Sequence, residues 1–199
     1  MSENQQRSFI AKIKYDNLTM TFFEKIFSER YLNRHPNLPE NSIATSIGNN
    51  FTPYDEGYFP SSNSWLPLHY GKGANKPVVS VDDMLLHFRC YDDYYNLQIL
   101  STPYSDQYIN KNSAGDLAAL PAAGGDTTSF NLLDADHNII TLDDISTDNP
   151  TVFLKARNAQ IIKTVPLLQL TRNYYFNDKS GEDAKFNLQI IERNAPPRD

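Results

Sequence analysis

The sequence predicts an all-β fold, built from three loose copies of one unit that together close into a pseudo-threefold structure. Apolar and polar residues alternate in short runs, interrupted by clusters of Asn, Asp, Gly, Lys and Ser, as in half-buried strands. Long heptad-like patterns are missing, while 12 prolines and 8 glycines punctuate the chain. Similar segments also recur three times in the same order along the 199 residues, which indicates an internal repeat.

The predicted first unit spans about residues 9–76. It opens with an alternating strand, Phe9–Tyr15, which a turn at Asp16 and Asn17 joins to a second alternation. Further strands are expected at residues 30–33, 42–45 and 64–68. A segment rich in Asn, Pro, Ser and aromatic residues, 48–63, is interpreted as an insertion into this unit. The residues before the unit, 1–7, are predicted to be a disordered tail because they are polar and terminal.

The second and third units are predicted at about residues 83–138 and 139–193. The alternating segments of the second unit are residues 86–90, 97–99, 107–110, 117–119 and 129–132. Those of the third unit are residues 140–142, 152–154, 160–163, 168–170 and 185–188. Each unit ends with an aromatic residue, Trp65, Phe130 or Phe186, which we expect to point to a shared axis. Closure of this kind removes the exposed sheet edges that an all-β protein must otherwise protect.

The order of these segments resembles a β-trefoil repeat of the fascin-like or ricin-B-like kind. The stretches that carry the resemblance are VFLKARNAQIIK followed by KFNLQI, and QYINKNSAGDLAA followed by SFNL. The resemblance covers most of residues 9–191 and implies a single β domain over residues 1–199. Each unit has one alternating piece more than a minimal trefoil needs, so a β-sandwich is the alternative fold.

The composition excludes several classes of partner. The net charge is −6, which is unlike the basic surface of a nucleic-acid-binding protein. The only cysteine, Cys90, cannot form an internal disulfide and lies in an apolar run, where a thiol is usually buried and inert. No apolar run approaches the ~20 residues of a transmembrane helix or forms a signal-peptide core. We therefore expect a cytoplasmic protein, or one released without a cleaved signal peptide.

The sequence contains no recognisable catalytic constellation. The histidines, His35, His69, His87 and His137, lack zinc-ligand spacing. Neither a Gly-x-Ser-x-Gly elbow nor a glycine-rich phosphate loop occurs, and the aspartate pairs do not fit an EF-hand loop. The sequence therefore predicts a protein that is not an enzyme and that needs no cofactor or metal.

Aromatic residues beside acidic turns are the candidates for ligand binding. One cluster consists of Asp92, Asp93, Tyr94 and Tyr95, and the other of Tyr174, Tyr175, Asn177 and Asp178. Aromatic faces can stack on the C–H surfaces of sugars while Asp and Asn bind hydroxyl groups, so the clusters predict lectin-like carbohydrate binding to a glycan. Tyrosine is also enriched at protein interfaces. The alternative is a protein-binding module, such as a protease inhibitor, a cytoskeletal cross-linker or a toxin-associated receptor-binding protein.

Overall fold

The computed structural model describes residues 2–27, 29–34, 36, 39–46, 50–51, 79–80, 82–121, 127–167 and 173–197. Among these residues, strands account for 51% and helices for 10%, which confirms the predicted all-β class. None of the helices in these ranges has the length and apolar content to cross a membrane. Trp65 and the predicted strands at 64–68 and 168–170 lie outside the described residues.

The described part of the chain contains sixteen strands and three short α-helices. The strands are β1 (Phe9–Tyr15), β2 (Leu18–Phe22), β3 (Ile43–Ser46), β4 (Asn50–Phe51), β5 (Val79–Ser80), β6 (Met84–Tyr91), β7 (Tyr94–Ile99), β8 (Tyr108–Lys111), β9 (Leu117–Leu120), β10 (Ser129–Leu133), β11 (Ile139–Ile140), β12 (Thr151–Ala156), β13 (Lys163–Pro166), β14 (Tyr174–Asn177), β15 (Glu182–Asp183) and β16 (Phe186–Arg193). The helices are α1 (Glu3–Arg7), α2 (Phe23–Ile26) and α3 (Glu29–Arg34).

Six of the strands form a closed barrel. Going round it, the order is β1, β6, β7, β10, β12 and β16, and each strand pairs antiparallel with the next. The ring closes because β16 also pairs with β1 along its whole length. The order round the barrel is therefore the order along the chain. A closed ring of this kind differs from the two facing sheets of the β-sandwich alternative.

The pairing register of the barrel repeats three times. Leu86, Phe130 and Phe186 occupy equivalent positions on β6, β10 and β16. The cross-strand partners of Leu86 are Ala11 and Ile99. Those of Phe130 are Tyr95 and Ala156, and those of Phe186 are Val152 and Tyr15. In each of β1, β7 and β12, the two partner positions are four residues apart, as Ala11 and Tyr15 are on β1. The barrel thus has a threefold repeat of register that low residue identity conceals in the sequence.

The barrel interior is the hydrophobic core. Phe130 and Phe186, predicted to close two of the units, are both fully buried, and so is Leu86 at the equivalent position on β6. Phe9 stacks on Phe88 with ring centroids 4.4 Å apart. Full burial of one such side chain contributes roughly 1.5–3 kcal/mol relative to exposure, so these rings stabilise the closed form substantially.

Three hairpins extend from the same end of the barrel. They are β2–β3, β8–β9 and β13–β14, which follow β1, β7 and β12. Their second strands, β3, β9 and β14, meet one another pairwise. The contacts are the pair Tyr175–Ala44 and the bridges Ser42–Ala118 and Asp116–Asn177. The three hairpins therefore form a three-sided cap, which we call the hairpin cap.

Three local predictions are wrong. Residues 30–33, predicted to be a strand, lie in α3, where Leu32 packs against Phe23, Ile26 and Phe27. Residues 3–7, predicted to be disordered, form α1, because Ser2 caps it and Arg7 makes a 2.6 Å ion pair with Asp143.

The third wrong prediction concerns the segment 140–142. Its strand ends at Ile140, and Leu142 begins a single 3-10 turn that ends at Asp144. The backbone N–H of Thr141 donates a 2.8 Å hydrogen bond to the Asp144 carboxylate, in a capping box. Side-chain capping thus outweighed the alternating pattern here.

Candidate functional site

The two predicted ligand-binding clusters lie at opposite ends of the barrel. Asp92 and Asp93 form the tight turn between β6 and β7. Tyr174 to Asn177 make up β14, which belongs to the hairpin cap beyond the other end of β7. The structure therefore does not bring the two clusters together, and they are two separate surfaces.

The turn between β6 and β7 carries a stacked pair of aromatic rings, of which Tyr91 is exposed and Tyr94 is half-buried. Tyr91 and Tyr94 stack with their centroids 5.8 Å apart, and the Arg157 guanidinium lies 4.1 Å from the Tyr94 centroid. Asp92 has a φ of 64°, a left-handed conformation that aspartate tolerates better than most residues. Asp92 and Asp93 are exposed beside the rings. We call Tyr91, Asp92, Asp93, Tyr94 and Arg157 the tyrosine turn.

Tyr95 belongs to the core and not to this surface. It is fully buried, and its hydroxyl accepts a 3.0 Å hydrogen bond from the Leu142 N–H. Burial raises the pKa of the Tyr95 phenol, so the ring remains neutral. The reason is the period of the strand: Tyr94 faces outward, and its neighbour must then face inward. Tyr95 is therefore not accessible to a ligand on the surface.

In the hairpin cap, three of the four predicted site residues have structural partners. Tyr174 packs edge-on against Tyr15, with ring centroids 5.3 Å apart. The buried Asn177 side-chain oxygen accepts hydrogen bonds from the backbone N–H groups of Lys179 and Ser180. Asp178 forms a 2.8 Å ion pair with Lys111, which joins the second hairpin to the third. These contacts explain why Asp and Tyr cluster here.

Tyr175 lines a cavity of about 330 Å³ in the hairpin cap. All three hairpins contribute to its wall, together with α2. Its described lining residues are Phe23, Ser42, Ile43, Asp116, Pro166, Leu167 and Tyr175. The volume lies at the lower end of the roughly 300–1,000 Å³ typical of small-molecule pockets. The cavity is therefore large enough for a ligand about the size of a monosaccharide.

Ser42 supplies an unsatisfied polar group to this cavity. Its side chain is 2% exposed, and its Oγ has no hydrogen-bond partner among the described residues. Ser42 is placed there because its carbonyl accepts the N–H of Phe23 and because it bridges Ala118 of the second hairpin. Most buried polar atoms in proteins have a partner, so an unpaired hydroxyl in a cavity wall indicates a place for a ligand or solvent atom.

Asp116 supplies the charge. Desolvation raises the pKa of its carboxyl above the usual value, and the nearby Asp178 carboxylate acts in the same direction. A hydrogen bond from the Asn112 side chain and the positive charge of Lys179 oppose this rise. Burial also raises the pKa of the Tyr175 phenol, and the Asp116 charge adds to this effect. The cavity thus combines one carboxyl group, two hydroxyl groups and an apolar wall.

This chemistry suits binding. A carboxylate and two hydroxyl groups can hydrogen-bond a polar ligand, while the half-buried Tyr175 offers aromatic surface to its apolar side. Within the residues that the structure describes, no three His, Cys, Asp or Glu side chains are grouped so as to hold a metal ion.

Sequence reasoning identified Tyr175 but missed Ser42 and Asp116. Asp116 lies at a turn, directly after Gly115. Several other aspartates also lie at turns, where they only stabilise loops, and no local signal separates Asp116 from them. The contribution of Ser42 depends on the meeting of β3 with β9, which is a long-range contact. A search for polar residues flanking the predicted hairpin strands could have selected both.

Comparison of the chain with models of known protein families, with curated proteins and with solved structures finds no match.

Proposed function

We propose that the protein is a non-catalytic, lectin-like module that binds carbohydrate in the hairpin cap, and that its fold is a β-trefoil. The observation that carries the binding proposal is the cavity that Ser42 and Tyr175 both line, in which the buried Ser42 hydroxyl has no hydrogen-bond partner among the described residues. Sugars present both hydroxyl groups and apolar C–H faces, so they match a wall that is partly polar and partly aromatic.

The threefold register supports the β-trefoil assignment. Two barrel strands and one hairpin make up each unit, as a trefoil requires. The units would be β1, β2, β3 and β6; then β7, β8, β9 and β10; then β12, β13, β14 and β16. On this assignment β6 closes the first unit, so the unit boundaries differ from the sequence-based ones at residues 83 and 139. The strands β4 and β5 then lie between the hairpin and the closing strand of the first unit, and β4, which falls within the predicted insertion 48–63, pairs with β5 beyond it.

A glycan array tests the binding proposal. The wild type is compared with Tyr175→Ala and Ser42→Ala, which alter the cavity, and with Tyr94→Ala, a matched tyrosine truncation at the opposite end of the barrel. We expect the wild type and Tyr94→Ala to bind the same glycans, and Tyr175→Ala to bind them about tenfold more weakly or worse, since aromatic anchors carry much of a binding energy. Absence of glycan binding by the wild type would remove the proposal.

The tyrosine turn favours a second candidate function, protein binding. Tyrosine and arginine are among the residue types most enriched at interface hot spots, and here Arg157 lies over the ring of Tyr94, which stacks on the exposed Tyr91. In the glycan array, a loss of binding in Tyr94→Ala but not in Tyr175→Ala would show that sugar binds at the tyrosine turn and not in the cavity. A protein partner recovered with the wild type and lost with Tyr94→Ala would support the protein-binding function.

A further inference from the structure

The charge of the cap cavity bears on the kind of sugar that it binds. Among the described lining residues, Asp116 is the one charged side chain, and the two aromatic rings, Phe23 and Tyr175, line the same space. A carboxylate together with aromatic faces is the combination that attracts a cation. The net charge of −6 also draws cations towards the protein and repels anions.

The surroundings of Asp116 leave its charge only partly compensated. The Asn112 side chain bonds it and Lys179 attracts it, but Asp178 repels it and partial burial disfavours its ionised form. Asp178 is itself engaged with Lys111 at 2.8 Å. The positive charge of a cation bound in the cavity would therefore offset both the cost of desolvation and the repulsion at Asp116.

A ligand that carried only a cation would leave the Ser42 hydroxyl unpaired. This hydroxyl is buried in the wall and has no partner among the described residues, so a ligand that also presents a hydrogen-bonding group would complement the cavity better. The apolar side chains of Ile43, Pro166 and Leu167 complete the wall. The matching ligand therefore has a positive charge, at least one hydroxyl group and an apolar face.

We propose that the cap cavity binds an amino sugar, such as a 2-amino-2-deoxyhexose, with its protonated amino group on the Asp116 carboxylate and a ring hydroxyl on Ser42 Oγ. This inference rests on the proposed carbohydrate-binding function and names the class of sugar. A neutral hexose makes the same stacking and hydroxyl contacts but lacks the charge. An N-acetylated sugar lacks the charge and is also bulkier.

Titration calorimetry with glucosamine, glucose and N-acetylglucosamine tests the inference at a pH at which the free amine is protonated. With the wild type, glucosamine should bind about tenfold more tightly than glucose, as expected for a charge-assisted hydrogen bond in a partly buried site. Asp116→Asn, which preserves the shape of the side chain, should reduce this preference to within about twofold of unity.

The outcomes separate the inference from the function on which it rests. Equal binding of glucosamine and glucose by the wild type would overturn the amino-sugar inference and leave carbohydrate binding intact. Binding of none of the three sugars would overturn the inference, and failure of the glycan array as well would overturn the function. Since the comparison of sugars uses the wild type, it stands even if Asp116→Asn does not fold. A preference that survives in a folded Asp116→Asn variant, shown by an unchanged circular dichroism spectrum, would also refute the role of Asp116.

Discussion

The ion pair between Lys111 and Asp178 is one of the links between the second and third hairpins, and its removal should destabilise the fold. The two side chains are only 13% and 12% exposed, and their charged atoms are 2.8 Å apart. The second carboxylate oxygen of Asp178 has no partner among the described residues. In Lys111→Met, the Asp178 carboxylate would therefore remain largely buried without an ionic partner.

Breaking a buried ion pair in this way typically costs 3–5 kcal/mol, and the residual exposure here places the expected loss near the lower figure, at about 3 kcal/mol. For a chain of this size, such a loss corresponds to a decrease in Tm of roughly 6–12 °C. Urea denaturation of both proteins, followed by circular dichroism, measures the difference in the free energy of unfolding.

The chain offers a matched control in Lys163 and Asp183, which are 2.7 Å apart but 26% and 32% exposed. Lys163→Met should cost about 1 kcal/mol or less, because solvent screens exposed pairs. The double variant Lys111→Met/Asp178→Leu should recover most of the lost stability, because it leaves no unpaired buried charge. If Lys111→Met cost no more than Lys163→Met, the reasoning from burial would be refuted.

Three further predictions concern a loop glycine, the core and the cavity. Gly181→Ala should cost about 3 kcal/mol or more, because a Cβ would lie 2.0 Å from the carbonyl oxygen of Thr164 and the φ of 111° disfavours any side chain; a thermal unfolding curve within 2 °C of wild type would contradict this. Tyr95→Phe should lose about 1–2 kcal/mol, since the buried Leu142 N–H loses its acceptor, and the test is the shift in urea midpoint, which should be negligible for the control Tyr94→Phe on the outward face of the same strand. The raised pKa of Asp116 means that the folded state holds the carboxyl proton more tightly than the unfolded state does. Ionisation of Asp116 therefore destabilises the fold as the pH rises through the folded-state pKa. Below the unfolded-state pKa the carboxyl is protonated in both states, and it has no such effect. Asp116→Asn should therefore raise the Tm at pH 7 and leave it unchanged at about pH 3, and an equal shift at both pH values would show that the carboxyl charge is not the cause.

Local signals were sufficient to predict much of the barrel. Alternation identified the strands that contain Phe9 and Leu97, and the preference of Asp for turns identified the turn at Asp92 and Asp93, which the structure confirms. The buried positions of Phe130 and Phe186 were likewise predictable, since bulky aromatic residues in an alternating strand belong inside.

Long-range pairing was not predictable in the same way. Leu86 gave no local indication that it pairs with Ala11, 75 residues earlier, and so takes the position that Phe130 and Phe186 take elsewhere in the barrel. Ser42 and Asp116 come together only because three hairpins converge. Whether Tyr95 faces the core or the solvent depends on the pairing register of its strand. The alternation within one strand does not decide this when both of its faces carry aromatic residues.

The seam between β1 and β16 has a consequence for how the protein is made. It joins Phe9 to Arg193, so β1 must wait for β16, which is synthesised much later. Until then, one edge of β1 is unpaired and open to other strands. Contacts so distant in sequence also slow folding, because the intervening chain must lose conformational entropy before the contacts between the strands form. We expect such a nascent chain to need more protection from strand pairing with other chains during translation than a chain whose paired strands are all close in sequence.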